Sequence, residues 1–584
     1  MRSFFKVFFA SFLSLVVFAI LAVMILFGFI GMAMSADKPE VGSNAVLVLD
    51  LDREIHEQEV ENPLAEFTGD NDDNVPGLYE LVRMLNAAKA DENIKGIYIK
   101  GSINPNGFAT SDELRNAILD FRKSGKFVIA YGEVLSQKAY YIASAADKVY
   151  CNPKGTLDWR GLESTLVFLK GTLEKLEIQP QIFYAGKFKS ATEPLREYQM
   201  TEANKIQTTV YLNDLYASVL LAAAAHSGSD TASLHQLANS GSIQTAYDAL
   251  RYRLIDGVRY DDQVKSEIIS RLRIDKDSKI NFISPGKYAK TVNLPAGKAE
   301  RIAVVYAEGE IIDGRGQSGS IASDEFRAII RKVRLDKNVK AVVFRVNSPG
   351  GSALASEVIL REISETRKLK PVVVSFGDVA ASGGYYIAAQ ADSIFANPTT
   401  ITGSIGVFGI IPNMQAFFKN KLGMTFDGVK TGPFADMLTI SRPLTEPEKR
   451  FVQNSIDTIY LSFKQRVSEG RKKPIEYVDS IAQGRVWTGT RGLQIGLVDK
   501  LGSIQDAVNC AARMAKLKDY SLKAYPEKKG FLESILGEKK NEMKAQMIRE
   551  DIGDEQYELL KHLQRVKRMV AIPQTRLPYD LNIQ

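Results

Sequence analysis

Apolar and polar positions follow two periods along this chain. Short runs of β-branched and aliphatic residues, at 302–306 and again at 341–346, bracket a stretch at 323–333 in which apolar residues recur at helical spacing. Strand, helix and strand in that order predict a βαβ unit, with a parallel sheet covered by helices. Helical spacing returns over 202–226 and 446–469, so each half of the chain is expected to close in a helical part. The first residues follow neither period. Residues 7–36 carry no charge and are dense in Phe, Leu, Val and Ile, and about 20 apolar residues suffice to cross a bilayer as one helix. Arg2 and Lys6 precede the stretch, and Met34-Ser35-Ala36 fits a small-x-small cleavage site poorly. An uncleaved anchor is expected, with the basic residues in the cytoplasm and the remainder beyond the inner membrane, on the periplasmic side.

The two halves repeat each other. Residues 93–100 match 338–345, a separation of 245 positions, and the register holds for 127–134 with 372–379 and 140–147 with 385–392. Asn152-Pro153 meets Asn397-Pro398, Thr201-Glu202 meets Thr445-Glu446, and 254–256 meets 497–499 with a drift of one or two. A period this long is a duplicated domain, not a solenoid. The expected fold class is α/β, with tandem copies after one transmembrane helix. The expected boundaries are 1–40 for the cytoplasmic stub and anchor, 41–285 for the first copy and 286–300 for a Pro/Gly-containing linker. The second copy is expected over 301–523, and a charged, helical, solvated tail over 524–584.

Composition narrows the function. At 584 residues, with 45% apolar and 25% charged residues and a net charge of +6, the chain is an ordinary globular protein, and its charge is too dilute to imply nucleic acid. Cys151 and Cys510 are the two cysteines, so neither a disulfide framework nor a metal-ligand spacing is present in the sequence.

Candidate chemistry gathers in the second copy. A buried strand runs into Ala381-Ser382-Gly383-Gly384-Tyr385-Tyr386 and a small-residue helix, the context of a nucleophile elbow that exposes a hydroxyl to substrate. Ser382 as a plain helix cap is the competing reading. Upstream, Ser348-Pro349-Gly350-Gly351 follows a strand. The amide of Gly350 or Gly351, with that of Gly383, would make an oxyanion-binding pair worth about 3 kcal/mol per donor; a tight turn or phosphate nest is equally open. The four histidines, His56, His226, His235 and His562, stand in no catalytic context. A buried, neutral lysine is the alternative base.

Gly186-Lys187-Phe188-Lys189-Ser190, together with the segment around Ser382, resembles signal peptide peptidase A, from the anchor to about residue 517 and in the long, double-domain form. The resemblance implies a fold related to Clp protease and crotonase, a dyad of nucleophile Ser382 and base Lys189, and no cofactor. It also implies cleavage of signal peptides left in the membrane after export, and a homo-tetramer around an internal cavity. Ser404 in this pattern hydrogen-bonds the lysine, although a turn serine reads equally well; Lys187 is expected to be solvated or substrate-facing. The duplication adds an independent reason. Gln137 stands opposite Ser382, residues 103–106 stand opposite 348–351, and Ala435 stands opposite Lys189. The losses are complementary, so Ser382 and Lys189 are expected to meet where unlike copies touch. A crotonase-like acyl-CoA enzyme and a non-catalytic membrane scaffold are the alternatives.

Overall fold

In the computed structural model the β-branched runs form the strands their pattern predicts. Residues 2–34, 41–59, 75–292, 300–316, 319–527 and 572–577 are described. Arg301–Glu308, the helix Ser323–Leu335 and Val339–Ser348 make a βαβ unit whose two strands pair in parallel. The runs are continuously apolar because both faces of a parallel sheet are covered, and Val343, Phe344 and Val346 are buried accordingly.

The duplication is visible in the topology. The first sheet runs Gly257–Val258, Lys148–Cys151, Phe127–Gly132, Ile94–Lys100, Ala45–Asp50, Asn281–Ile283. In the second, Lys500–Leu501, Ser393–Ala396, Val372–Ala381, Val339–Ser348, Arg301–Glu308 and Ser521–Tyr525 follow one another in the same order. Each copy carries a 26-residue helix, Glu202–Ser227 and Glu446–Arg471, and both helices start on a threonine, Thr201 or Thr445, whose hydroxyl accepts from an amide three residues on.

The expected boundaries shift where packing continues across them. Pro285–Ala289 is a helix whose Tyr288 still belongs to the first core, and Ser521–Tyr525 carries the second sheet past residue 523. Residues 293–299 of the expected linker lie outside the described residues, as does the helical stretch expected at 539–569. The solvated tail is corrected at its far end: Gln574–Arg576 is a strand, and Gln574, Thr575, Arg576 and Leu577 are all buried. At the other terminus Arg2–Met34 is one helix. Among the described residues no helix is long and apolar enough to cross a membrane.

A third sheet mixes the copies. Gln179–Ala185 of the first pairs antiparallel with Val407–Asn413 of the second over seven positions, from Ala185 opposite Val407 to Gln179 opposite Asn413. A buried charge cluster ties the copies elsewhere. Arg345, fully buried, reaches Glu57 at 2.7 Å and Glu113 at 2.8 Å, and also donates to Ser375 Oγ and the Phe376 carbonyl. Desolvation pushes the Glu57 carboxyl up to about 7 despite the guanidinium beside it. Arg345→Ala would leave two carboxylates buried without their cation, and is expected to cost about 3–5 kcal/mol, read as a lowered unfolding midpoint in urea.

Candidate active site

The strand Val372–Ala381 ends at Ser382, whose φ of 55° and ψ of −115° lie outside the regions favoured by L residues. The turn is held from both sides. The Ser382 amide donates to the Gly403 carbonyl at 2.8 Å, and the Tyr386 amide donates to the Ser382 carbonyl at 2.8 Å. Strain of this kind persists only where the surroundings enforce it. The helix that follows, Gly383–Ala388, receives no side-chain cap from Ser382. The capping reading is thereby removed, and the hydroxyl is left for another partner.

That partner is Lys189. Its Nζ lies 2.9 Å from Ser382 Oγ, 3.1 Å from Ser404 Oγ and 3.2 Å from the Ser404 carbonyl. All three residues are buried, and the lysine and serine belong to one chain but to different copies. The mixed sheet brings them together: the strand Gln179–Ala185 delivers the chain to Gly186, and Lys189 follows one turn later. Close approach of backbone fixes the loop. Gly186, at φ 111°, abuts Gln483, where a Cβ would lie 2.6 Å from the carbonyl carbon. A Cβ on Gly484 would lie 2.7 Å from both N and Cβ of Lys189. Gln207 Nε2 donates to the Phe188 carbonyl at 3.2 Å and to Ser190 Oγ at 2.9 Å, anchoring the loop to the long helix behind it.

The polar atoms on Lys189 Nζ are all neutral oxygens. Burial without a compensating carboxylate holds the ammonium pKa well below its ordinary value. The lowered pKa favours the neutral amine, whose lone pair can take a proton from the hydroxyl beside it. Lys187 is exposed. Gly350, at φ 97°, lies against Gly383, since a Cβ on it would lie 2.6 Å from the Gly383 amide nitrogen. The Gly350 amide itself donates to Ser348 Oγ at 3.2 Å, and Gly351 stands opposite Thr575 in a strand ladder. His226 pairs with Asp256 at 3.2 Å, His56 with Glu308 at 3.3 Å, and His235 stands edge-on to Tyr216; His562 lies outside the described residues.

The glycine contacts predict a sensitive position outside the expected set. Gly484→Ala would push a methyl group into the Lys189 backbone at a φ of 73°. It is expected to lower kcat by about 10²-fold through misplacement of the amine, with the melting temperature falling only slightly. Sequence reasoning misses Gly484 because nothing near it signals that a lysine almost three hundred positions away packs on its Cα.

A strained serine beside a buried lysine is the minimal equipment of serine hydrolysis without histidine. Relatives make the class definite. The chain is 35% identical over 483 residues to Protease 4 of Salmonella typhi, covering 80% of this chain and 77% of that one. It is 33% identical over 441 residues to the Arabidopsis thaliana protein Serine protease SPPA, chloroplastic, covering 74% and 64%. It is 34% identical over 253 residues to the Putative signal peptide peptidase SppA of Enterococcus faecium, covering 42% and 73%. The protein is a serine peptidase. Peptidase family S49 matches it twice, over residues 120–274 and 364–518, one match in each copy, and the chain belongs to that family.

Proposed function

We propose that the protein is an endopeptidase in which Ser382 is the nucleophile and Lys189 the general base, and that it degrades spent signal peptides at the cytoplasmic membrane. The observation that carries this reading is the 2.9 Å approach of Lys189 Nζ to Ser382 Oγ in a buried, carboxylate-free setting. Neutral Lys189 takes the hydroxyl proton as Ser382 Oγ attacks the peptide carbonyl. The amide of Gly383, with that of Gly350 or Gly351, receives the developing oxyanion, and Ser404 holds the amine in line. The protonated lysine then donates to the leaving amine, and a water deprotonated by the same lysine hydrolyses the acyl ester.

The membrane location is supported by the charge-free residues 7–36 and by Arg2 and Lys6 before them. On this reading the two copies lie on the periplasmic side. The substrate class is supported by the resemblance to signal peptide peptidase A and by the printed name of the Enterococcus relative. Self-assembly, to the tetramer the family resemblance implies, is supported by an exposed apolar segment that water alone would not favour: Leu422, Met424, Phe426, Val429, Phe434 and Leu438 are between 47% and 103% exposed.

The test uses the full chain in lipid vesicles with two labelled peptides of equal length, one with an apolar signal-peptide core and one with the same residues interrupted by charges. Cleavage of the apolar peptide at least tenfold faster is expected. Equal rates would remove the signal-peptide assignment while leaving the peptidase in place.

A further inference from the structure

The C-terminal segment fills the space beside Ser382. Gln574–Arg576 lies between Gly350–Ser352 and Val407–Asn413 and runs antiparallel to both. Gly351 stands opposite Thr575, Gly350 opposite Arg576, and both Ser352 and Phe408 opposite Gln574. The ladder continues at both ends: the Ala353 amide donates to the Pro573 carbonyl at 3.2 Å, and the Leu577 amide to the Pro349 carbonyl at 2.7 Å. Thr575 Oγ1 donates to the Gly351 carbonyl at 3.2 Å.

The backbone of Thr575 passes directly over the glycines next to Ser382. A Cβ on Gly350 would lie 2.0 Å from the Thr575 carbonyl oxygen, and one on Gly383 would lie 2.9 Å from it. This is the path an extended peptide has to take if its carbonyl is to reach Ser382, and the pairing on both sides is the way a sheet accepts a peptide strand. Side chains fix the register. Arg576 Nη1 lies 2.7 Å from Glu310 Oε1, with the two side chains only 6% and 16% exposed, and Leu577 packs into an apolar cluster with Ala381, Ile401 and Val486.

We propose that the groove between Gly350–Ser352 and Val407–Asn413 is a peptide-binding groove whose specificity residue is Glu310. It selects a cationic side chain at the position Arg576 occupies, and the chain's own C-terminal segment is the resident ligand that a substrate displaces. The inference rests on Ser382 being the reacting group, but binding tests it without turnover. A tethered strand competes at an effective concentration of order 1 mM, so a free copy of it should bind poorly until the tether is unlatched.

The probe is a fluorescent synthetic peptide with the sequence of residues 571–578, titrated by anisotropy into the full-length protein. Arg576→Glu in the chain is expected to tighten binding of this peptide at least tenfold over wild type. Adding Glu310→Lys should abolish that gain, and should transfer the preference to a peptide with glutamate in place of the arginine. Equal binding to wild type and Arg576→Glu would overturn the resident-ligand role. Binding indifferent to Glu310→Lys would overturn the specificity role. Neither substitution touches a large apolar side chain, and turnover of a separate peptide reports independently on Ser382.

Discussion

Ser382→Ala is expected to lower peptide turnover by about 10⁴-fold or more, the range seen when a serine nucleophile is removed from a site whose other parts remain. The expectation follows from where the hydroxyl sits. Its Oγ makes the shortest of the lysine amine's three hydrogen-bond contacts, and the strained turn that carries it has no capping duty. Removing the oxygen therefore costs chemistry and little structure. Melting temperature should stay near wild type, since the amide contacts to Gly403 and Tyr386 are made by backbone. Retained turnover with an intact fold would place the nucleophile elsewhere.

Lys189→Met should abolish turnover to a similar degree and, unlike most core substitutions, raise stability. The lysine is buried without a counter-charge, and its pKa is held low by desolvation alone. In the pH window between that lowered value and the ordinary value of 10.5 the unfolded chain binds a proton the folded chain does not. Stability of wild type therefore rises with pH across the window. Methionine removes the term, so the variant's gain in melting temperature is expected at neutral pH and should shrink as pH rises. Activity of wild type runs in the same direction: kcat/KM should climb as the amine loses its proton and then level off. A profile flat from pH 5 to about 10 would contradict an amine base.

Much of this was legible in residues. The duplication is written in a register that holds over hundreds of positions, and the sheets repeat it strand for strand. The two long helices were legible in the helical spacing of apolar residues over 202–226 and 446–469. The pairing of Ser382 with Lys189 could be expected because each copy lacks what the other keeps. Other features carry no local signal. Gln574–Arg576 is three residues long, too short for any period, and lies in a charged tail that reads as solvated. Arg345 meets Glu57 across 288 positions, and a single arginine in a strand pattern gives no sign that two acids wait for it. The Ser404 carbonyl, which faces the amine beside its own hydroxyl, is a main-chain group that no motif encodes.

On the proposed mechanism one serine reacts because one neutral lysine is beside it. The most direct measurement treats the full-length protein with a fluorophosphonate, which loses fluoride to an activated hydroxyl, and follows labelling by intact mass and peptide mapping. A single adduct on Ser382, formed at least about 10³-fold more slowly in Lys189→Met, is the predicted result. Labelling at another serine, or at an undiminished rate without the lysine, would contradict it.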